Sequence, residues 1–345
     1  MSKQQTSFKG SIEVFSSILR SVCVLVSVLL SCQAFSELFR FQANAPIQGF
    51  LSPFFNEVGE KTWQCSGDQV RYISESEIHL KKMCITFFCP HHPETPDMVV
   101  RSDTAQVSIP EQQAYGETLL TVTHPSYTII GENWSWKGKR SNRAFSKIYI
   151  KKNASVMFYD LPAKEPSTVI SSDRLRMLRF KDHNEFLFLG NVQIKNNNFS
   201  GDCGRMWVFS VAPEQSHTWN FKFWLYGFNR AQRESKIVSL VNFETRFSNT
   251  NTKFQQVGQI RIIIGWQQVH LETEDPVSGE KKRSFSEKAV VYLDSSKMIL
   301  SENPVVYSST QGTFRGDKIV FYRNSKHIQI ENTAPGKRSQ VFLGE

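Results

Sequence analysis

Several features are scarce or absent in this chain of 345 residues, and each absence excludes a class of protein. No sustained helical stripe with capping signals follows residue 60, so the structured part is expected to be nearly all β. No glycine-rich phosphate loop or dinucleotide fingerprint occurs, so the sequence carries no nucleotide site. The charge-free run at 21–35 is shorter than the roughly 20 residues that span a bilayer.

Charge is the next bulk property. The formal net charge is +9, and 40% of the residues are hydrophobic and 21% charged, which is typical of a globular protein rather than a disordered one. A basic balance suits an anionic partner such as a phosphate-bearing lipid, a membrane surface or a nucleic acid. No arginine-rich helix, zinc-finger spacing or stacked-aromatic RNA motif favours nucleic acid. A basic surface that is merely solvated is the alternative interpretation.

The N-terminus predicts export. Three basic residues precede the apolar run, which ends in small residues and has the length of a secretory signal core. Residues 1–35 are therefore predicted to be a signal peptide or a membrane anchor. Three outcomes stay open, namely cleavage after Ala34, retention as an anchor helix, and lipidation of Cys32 at a lipoprotein-type site.

Cysteine is sparse, and past the signal only Cys65, Cys84, Cys89 and Cys203 are left. An exported protein can oxidise its thiols, and four cysteines allow three complete pairings. Cys84 and Cys89 would be about 16 Å apart in an extended chain, which is too far for a direct disulfide. Cys65 is the better partner for one of them, and Cys203 has no obvious mate.

A short unit recurs along the chain, with Ser or Gly, then Asp or Glu, then apolar residues at every second position. Its five copies begin at Gly67, Ser102, Ser172, Ser286 and Gly316. A longer copy supports the repeat, because 70–87 overlays 290–307 without a gap. A turn residue followed by period-two apolarity is typical of a strand at the point where it joins a sheet. The chain is therefore predicted to be a serial array of short β-strands.

The pattern divides the chain into segments. Residues 36–60 are predicted to be an irregular connector, and 61–160 a first strand-rich module. Pro162 and Pro166 mark a boundary, after which 167–345 forms a second module. That module contains a predicted insertion at about 210–258.

Apolar alternation is strongest in one segment of the second module. Phe186, Phe188, Val192 and Ile194 are expected to share one face of an extended chain. The stretch 260–266 is apolar on both faces, which fits a strand that is buried on both sides or that faces a lipid.

Two strings resemble chemical sites. Gly201-Asp202-Cys203-Gly204 resembles the nucleophile loop of chymotrypsin-like proteases, yet no motif selects a histidine and an acid to accompany it. A β-turn explains the same glycines. Cys89-Pro90-His91-His92 could supply zinc ligands, but no second cluster stands at a matching spacing. We predict no metal site, no cofactor and no catalytic acid and base pair.

Several runs resemble the OstA-like family of lipopolysaccharide transport proteins. They are Ile170-Ser171-Ser172-Asp173-Arg174-Leu175, Phe188-Leu189-Gly190-Asn191-Val192-Gln193-Ile194, Gly204-Arg205-Met206-Trp207-Val208-Phe209, Ala289-Val290-Val291-Tyr292, Met298-Ile299-Leu300, Asn303-Pro304-Val305-Val306 and Gly316-Asp317-Lys318-Ile319-Val320-Phe321. This similarity covers about 165–345 and is closest to the LptA-like members. Residues 61–160, through Gly131-Glu132-Asn133-Trp134-Ser135-Trp136, resemble the LptC-like members more loosely. The insertion departs from the family pattern.

The resemblance implies a fold and a function. The expected fold is all-β, with open β-jellyroll modules stacked in series, and the expected function is to bind lipopolysaccharide in the periplasm and move it from the inner toward the outer membrane. Sheltering its acyl chains has a physical reason, since a 14-carbon chain exposed to water would cost roughly 11 kcal/mol at ~0.8 kcal/mol per methylene. The predicted lipid-binding residues are Phe186, Phe188, Val192, Ile194, Trp207, Phe209, Ile262, Ile264, Val269, Leu271, Met298 and Val305.

The expected partners are lipid A, the other lipopolysaccharide transport components of both membranes, and further copies of this chain joined end to end by strand addition. Neither catalysis nor nucleic acid is expected. Two other classes of function stay open, namely an exported cysteine protease that uses Cys203 and a non-catalytic structural protein of the envelope.

Overall fold

The structure is a computed structural model that describes residues 46–56, 58–89, 92–138, 146–160, 165–180, 183–197, 199–211, 260–274, 279–322, 328–331 and 340–342. The predicted signal or anchor at 1–35 lies outside the described residues. Parts of the predicted connector at 36–60 also lie outside the described residues. Of the predicted insertion at about 210–258, only residues 210 and 211 are described.

The described chain consists of twenty strands that pair antiparallel throughout. The first ten are β1 Ile47–Phe55, β2 Lys61–Tyr72, β3 Glu77–Cys89, β4 His92–Ser108, β5 Gln113–Gly116, β6 Leu120–His124, β7 Tyr127–Gly138, β8 Ser146–Phe158, β9 Thr168–Ser172 and β10 Arg174–Arg179. The others are β11 His183–Asn196, β12 Phe199–Val211, β13 Ile260–Glu274, β14 Lys281–Tyr292, β15 Lys297–Ser301, β16 Val305–Ser308, β17 Gly312–Arg315, β18 Lys318–Tyr322, β19 Ile328–Glu331 and β20 Gln340–Phe342. The predicted all-β fold is confirmed.

Strand pairing divides this network into two sheets that share their long strands. Sheet I has the order β1-β2-β3-β4-β6-β7-β8-β9-β11-β12-β13-β14-β16-β17-β20. Sheet II has the order β1-β2-β3-β4-β5-β7-β8-β10-β11-β12-β13-β14-β15-β18-β19. Each long strand contributes one half to each sheet, and pairs of short strands such as β9 and β10 take its place elsewhere. None of the described segments is a helix long and apolar enough to cross a membrane.

The long strands bend where they pass from one sheet to the other, and the recurring unit lies at these bends. Its serine hydroxyls donate hydrogen bonds to the carbonyl oxygen two residues ahead. The three bonds are Ser102 Oγ to Thr104 O at 3.3 Å, Ser172 Oγ to Arg174 O at 2.8 Å and Ser286 Oγ to Lys288 O at 3.0 Å. The prediction that this unit begins a strand is therefore wrong for β2, β4 and β14, where it marks a bend within the strand.

The longer repeat is confirmed by backbone conformation. Lys82 and Glu302 occupy equal positions in the overlay of 70–87 on 290–307, and both have positive φ, +50° and +62°. In the first copy β3 runs through the bend as one strand, whereas in the second copy β15 and β16 divide there. The same chain geometry is thus built twice.

The two sheets face each other across the bends. Tyr127 lies in sheet I and Phe186 in sheet II, and in a flat network they would be about 30 Å apart at ~3.3 Å per residue and ~4.8 Å per strand. Their ring centroids are 5.2 Å apart, and Phe158 of sheet I is 5.1 Å from the same Phe186 ring. Folding along the line of bends therefore brings the inner faces into contact, as in the expected jellyroll.

The predicted boundary near 161–166 falls at the connection between two paired strands. β8, before it, pairs with β9 and β10, after it, and buried side chains from both sides join one cluster. The sheets are continuous here, and the division of the chain into two modules stays a prediction.

Candidate functional site

The inner faces of the two sheets form one apolar layer. A single cluster of buried side chains extends from Trp63 in β2 to Phe321 in β18. Each sheet has fifteen strands in sequence, so this layer runs for about 65 Å at ~4.8 Å per strand. An elongated apolar layer of this kind is the feature of the described chain that fits a long hydrophobic ligand.

Many of the predicted lipid-binding residues lie on this inner face. They are Phe186, Phe188, Val192, Ile194, Val269, Leu271 and Met298. β11 carries four of them. Phe188 and Val192 lie on the same face on either side of the bend at Gly190 and Asn191, because they are four positions apart, which is an even number. Both Gly190 and Asn191 have positive φ, +77° and +44°. The predicted common face in β11 is therefore correct.

The inner layer is filled by its own side chains. Phe186, Phe188 and Val192 are 0% exposed. Away from the bends, Trp136 of sheet II packs against Trp63 and Phe87 of sheet I with centroid distances of 5.8 and 5.7 Å. Insertion of a ligand between the sheets thus requires these side chains to move apart.

A polar cluster joins the sheets at the rim opposite the bends. Asp97 of β4 pairs with Arg179 of β10, and His124 Nε2 lies 3.5 Å from the other carboxylate oxygen of Asp97. Burial pushes the pKa of Asp97 up, but the His124 hydrogen bond and the nearby positive charges outweigh it and lower that pKa to about 2. Burial lowers the pKa of His124, and the hydrogen bond and charge of Asp97 only partly offset that effect.

Four other predicted residues lie on the opposite face of sheet II, which corrects the prediction of one common lining. They are Trp207, Phe209, Ile262 and Ile264, which belong to a second cluster. In β12 the two residues that face inward on either side of the bend, Cys203 and Met206, are three positions apart, which is an odd number. Trp207 therefore faces outward. A prediction that keeps strict alternation through such a bend assigns every residue beyond it to the wrong face.

The structure also adds inward residues that the sequence pattern missed. Met206, Val208 and Ile263 belong to the inner cluster. Val305, which we predicted to line the groove, instead pairs with Phe285 and Arg315 on the outer face of sheet I. The recurring unit marks where a bend occurs, but it does not show whether the bend preserves the faces, as in β11, or reverses them, as in β12.

Part of the outer face of sheet I carries exposed polar side chains. A row across neighbouring strands contains Gln193, Asp202 and His270, whose Nδ1 lies 3.2 Å from Asp202 Oδ2. These residues line a shallow cavity of about 770 Å³ together with Lys195 and Glu272. The His270 ring stacks on Phe285 with centroids 4.7 Å apart.

Cys203, the residue of the protease alternative, occupies a bend in the manner of the serines. Its thiol donates a hydrogen bond to the carbonyl oxygen of Arg205 at 3.0 Å, as Ser286 does to Lys288. Burial raises the pKa of this thiol to about 11, and the hydrogen bonds with the backbone of Trp266 and Arg205 only partly offset that effect. These are the surroundings of an unreactive thiol.

No disulfide bond joins the cysteines whose side chains the structure describes. Cys65, Cys84 and Cys203 are free, and burial raises the pKa of Cys65 to about 12. Cys65 is fully buried on the inner side, whereas Cys84 opposes its neighbour Ser66. The side chain of Cys89 lies outside the description, and no group of metal-ligating side chains is found in the described part of the chain.

The described fold defines an all-β protein in which two antiparallel sheets enclose one extended apolar layer. One solved structure that resembles the chain is described as that of LptH, the LptA homologous periplasmic component of the conserved lipopolysaccharide transport device from Pseudomonas aeruginosa. The identity is 9%, the TM-score is 0.29, and the match covers 47% of this chain and 85% of that chain. No protein-family model and no curated protein matches the sequence.

Proposed function

We propose that this protein is exported to the periplasm and carries lipopolysaccharide from the inner toward the outer membrane, without catalysis of its own. The observation that carries the proposal is the single apolar layer between the two sheets, which extends from Trp63 to Phe321. The sequence resemblance to the OstA-like family supports the choice of ligand. The basic net charge of +9 suits the phosphates of lipid A.

The geometry suggests how acyl chains would be held. The inner faces carry aromatic and branched side chains, whereas exposed polar groups such as Gln193 and Asp202 lie on the outer face of sheet I. An acyl chain between the sheets would replace contacts that Phe188 and its neighbours now make with one another. Each methylene kept out of water contributes about 0.8 kcal/mol.

The rim opposite the bends is the side on which the sheets would separate. The side chains that hold the sheets together there include the Trp136 aromatic contacts, the contacts of Phe186 with Tyr127 and Phe158, and the Asp97–Arg179 pair. All of these contacts join one sheet to the other, so the rim can open while the strand pairing within each sheet is retained. Partners would be the other lipopolysaccharide transport components and further copies of the chain, which would add strands to β1 or to β19 and β20 at the sheet ends.

Photocrosslinking tests this proposal. A benzophenone amino acid replaces Phe188 on the inner face in the full chain, and the matched control carries it at Phe285, which is 43% exposed on the outer face. The expected result is a crosslink to lipopolysaccharide from position 188 and none from position 285. Both variants are first checked for native circular dichroism.

Other results would overturn the proposal. Equal labelling at both positions would show that lipopolysaccharide adheres to the surface. Labelling at neither position, in a folded protein, would show that the inner layer does not bind lipopolysaccharide. A crosslink from position 188 to phospholipid alone would show that the inner layer binds phospholipid and not lipopolysaccharide. The protease alternative is separated by Cys203→Ala, which would abolish proteolysis and leave lipid crosslinking unchanged.

A further inference from the structure

Five basic side chains lie together on the outer face of sheet II, on the neighbouring strands β7, β8 and β10. The pairing of these strands sets Lys137 opposite Lys147 and Arg176 opposite Tyr149. Two more lie beside each other at the bend, one residue beyond the last pair of β8 with β10. The five, which we call the basic patch, are Lys137, Lys147, Lys151, Arg174 and Arg176.

The basic patch sets like charges next to each other. Lys137 and Lys147 are direct cross-strand partners, and like charges in that position destabilise a sheet. None of the five cations forms an ion pair with a carboxylate of the described residues. Three acids border the patch, and each has another partner. These pairs are Glu132 with Lys152 at 3.5 Å, Asp173 with Asn191 at 3.0 Å and Glu185 with His183 at 3.4 Å.

The tyrosine at the centre of the patch responds to its positive charge. Burial pushes the pKa of Tyr149 up, but the hydrogen bond and charge of Lys147 and the charge of Arg176 outweigh it and lower that pKa below its ordinary value. The Nζ atom of Lys147 lies 4.5 Å from the centroid of the Tyr149 ring. These cations therefore contact the ring and hydroxyl of a tyrosine where a carboxylate would neutralise them.

The other outer face shows how the same fold neutralises exposed cations. On sheet I, Arg283 of β14 is directly opposite Glu272 of β13, with Nε 3.1 Å from the carboxylate. Lys281 is opposite Glu274 in the same pair of strands, at 3.8 Å. Acids at cross-strand positions thus compensate cations on sheet I. The basic patch has no such acids, so its charge is available to a partner outside the chain.

The shape and side chains of the patch fit the surface of an anionic membrane. The patch lies on a sheet face, so its charges are arranged side by side, and a plane of lipid phosphates can neutralise all of them at once. Two exposed tyrosines, Tyr115 and Tyr149, stand on either side of Ser135 in one cross-strand row. Tyrosine is enriched at membrane–water interfaces, and lysine can reach the headgroups while its stem lies along apolar surface.

We propose that the basic patch binds the anionic headgroups of a phospholipid membrane and holds the chain with the outer face of sheet II against that surface. The outer face of sheet I, where acids pair with cations, then points away from the membrane. The apolar inner layer takes no part in this contact, so the assignment is independent of what that layer binds. It also explains why cations, and no acids, face each other across β7, β8 and β10.

Vesicle flotation of the full chain tests the assignment. The protein should bind vesicles made of equal parts of phosphatidylglycerol and phosphatidylcholine, less tightly as salt is added, and should not bind vesicles of phosphatidylcholine alone. Lys137→Gln combined with Lys147→Gln should weaken binding roughly 25-fold, since each cation near an anionic surface contributes about fivefold, or ~1 kcal/mol. Lys195→Gln combined with Lys281→Gln removes the same charge from exposed positions of sheet I and should leave binding nearly unchanged.

Photocrosslinking of variants that keep all five cations gives a second measurement. A benzophenone amino acid replaces Tyr149, which is 37% exposed, and the matched control carries it at Tyr307, which is 43% exposed on the outer face of sheet I. With the anionic vesicles, position 149 should crosslink to phospholipid and position 307 should not. Both variants, and both lysine double variants, are first checked for native circular dichroism.

Several outcomes would overturn the proposal. Equal binding to both kinds of vesicle would show that apolar contacts, and not charge, hold the lipid. Equal weakening in the two lysine double variants would show that net charge matters and the patch does not. Equal crosslinking from positions 149 and 307 would show that no particular face meets the membrane. Binding to heparin without binding to the anionic vesicles would assign the patch to a polyanion in solution.

Discussion

The carboxylate of Asp97 and the guanidinium of Arg179 form an ion pair that joins β4 in sheet I to β10 in sheet II. The two residues are separated by most of the first predicted module and come from opposite sides of the predicted boundary at 161–166. Both side chains are largely buried, with exposed fractions of 25% and 22%. The pair therefore links the two sheets at the rim that we expect to open for a lipid.

Asp97 predicts an acid-dependent loss of stability. Its pKa is about 2 in the folded protein, below the ordinary value of 3.8, so the folded state favours the ionised form. The resulting stabilisation, ~2 kcal/mol, is present above pH 4 and is lost as the pH falls from about 4 to about 2. Urea titrations of the native protein and of Asp97→Asn across this range measure it. The native protein should lose more stability on acidification than the variant, and parallel pH profiles would contradict the prediction.

Gly190 predicts a strong steric effect at a bend. Its φ is +77°, and a Cβ at this position would lie 2.4 Å from Asp173 Oδ2. Gly190→Ala should destabilise the fold by ~2–4 kcal/mol, since backbone strain adds to a steric clash. Gly279 is the matched control, because its φ is +68° with no atom within 4 Å of an added Cβ. Gly279→Ala should cost only ~1 kcal/mol.

The steric part of this effect can be separated in a double-mutant cycle. Asp173→Ala removes the two nearest atoms that the new Cβ would meet, Oδ2 and Cγ, so it should recover part of the stability lost in Gly190→Ala. Chemical denaturation of the four proteins gives the coupling energy. A zero coupling energy would show that the contact with Asp173 plays no part.

Val192 and Gln193 predict opposite outcomes for neighbouring positions in β11. Val192 is 0% exposed on the inner face, whereas Gln193 is exposed on the outer face. Val192→Lys should destabilise the protein by ~3–5 kcal/mol because it buries an unpaired charge, whereas Gln193→Lys, which places an ammonium opposite Asp202 on the exposed face, should change stability by less than ~1 kcal/mol. Urea unfolding of both variants measures the difference. Similar effects at the two positions would reverse our assignment of faces in β11.

Cys203 predicts an unreactive thiol. Its pKa is raised to about 11 by burial, and its hydrogen bond to the Arg205 carbonyl can also be made by a hydroxyl. Thiol reagents at pH 7 should label it only when the protein unfolds, and Cys203→Ser should change stability by less than ~1 kcal/mol. Rapid stoichiometric labelling of Cys203 in the native protein would instead favour the protease alternative.

Sequence reasoning succeeded where a bend preserves the period. Phe188 and Val192 were correctly placed on one face because the step between them across Gly190 and Asn191 is even. It failed in β12, where an odd step at the bend turns Trp207 outward, away from the inner Met206. The strand pattern looks the same on both sides of each bend, so nothing local reveals which kind of step a bend contains.

The recurring unit was found from sequence, but its role was not. Ser102, Ser172 and Ser286 were predicted to begin strands, since a polar turn residue before alternating apolar residues usually does so. The hydroxyl bonds to the carbonyl two residues ahead place Ser102 and Ser286 at bends within continuous strands, whereas the unit at Ser172 leads into a new strand, β10, as predicted. Cys203 makes the same bond, so the string that resembles a protease nucleophile loop, and that we also explained as a β-turn, is a bend within β12.

By itself, the sequence determined that the chain is all β, that it repeats, and that it has enough alternating apolar residues for an extended core, because these properties depend on local propensity and period. Only the tertiary structure decided that the strands bend into two facing sheets and that Phe186 meets Tyr127 across them. It also decided which side chains face inward, because a bend such as that in β12 reverses the faces beyond it, whereas the bend in β11 preserves them. These choices depend on contacts between distant residues, which a local pattern does not contain.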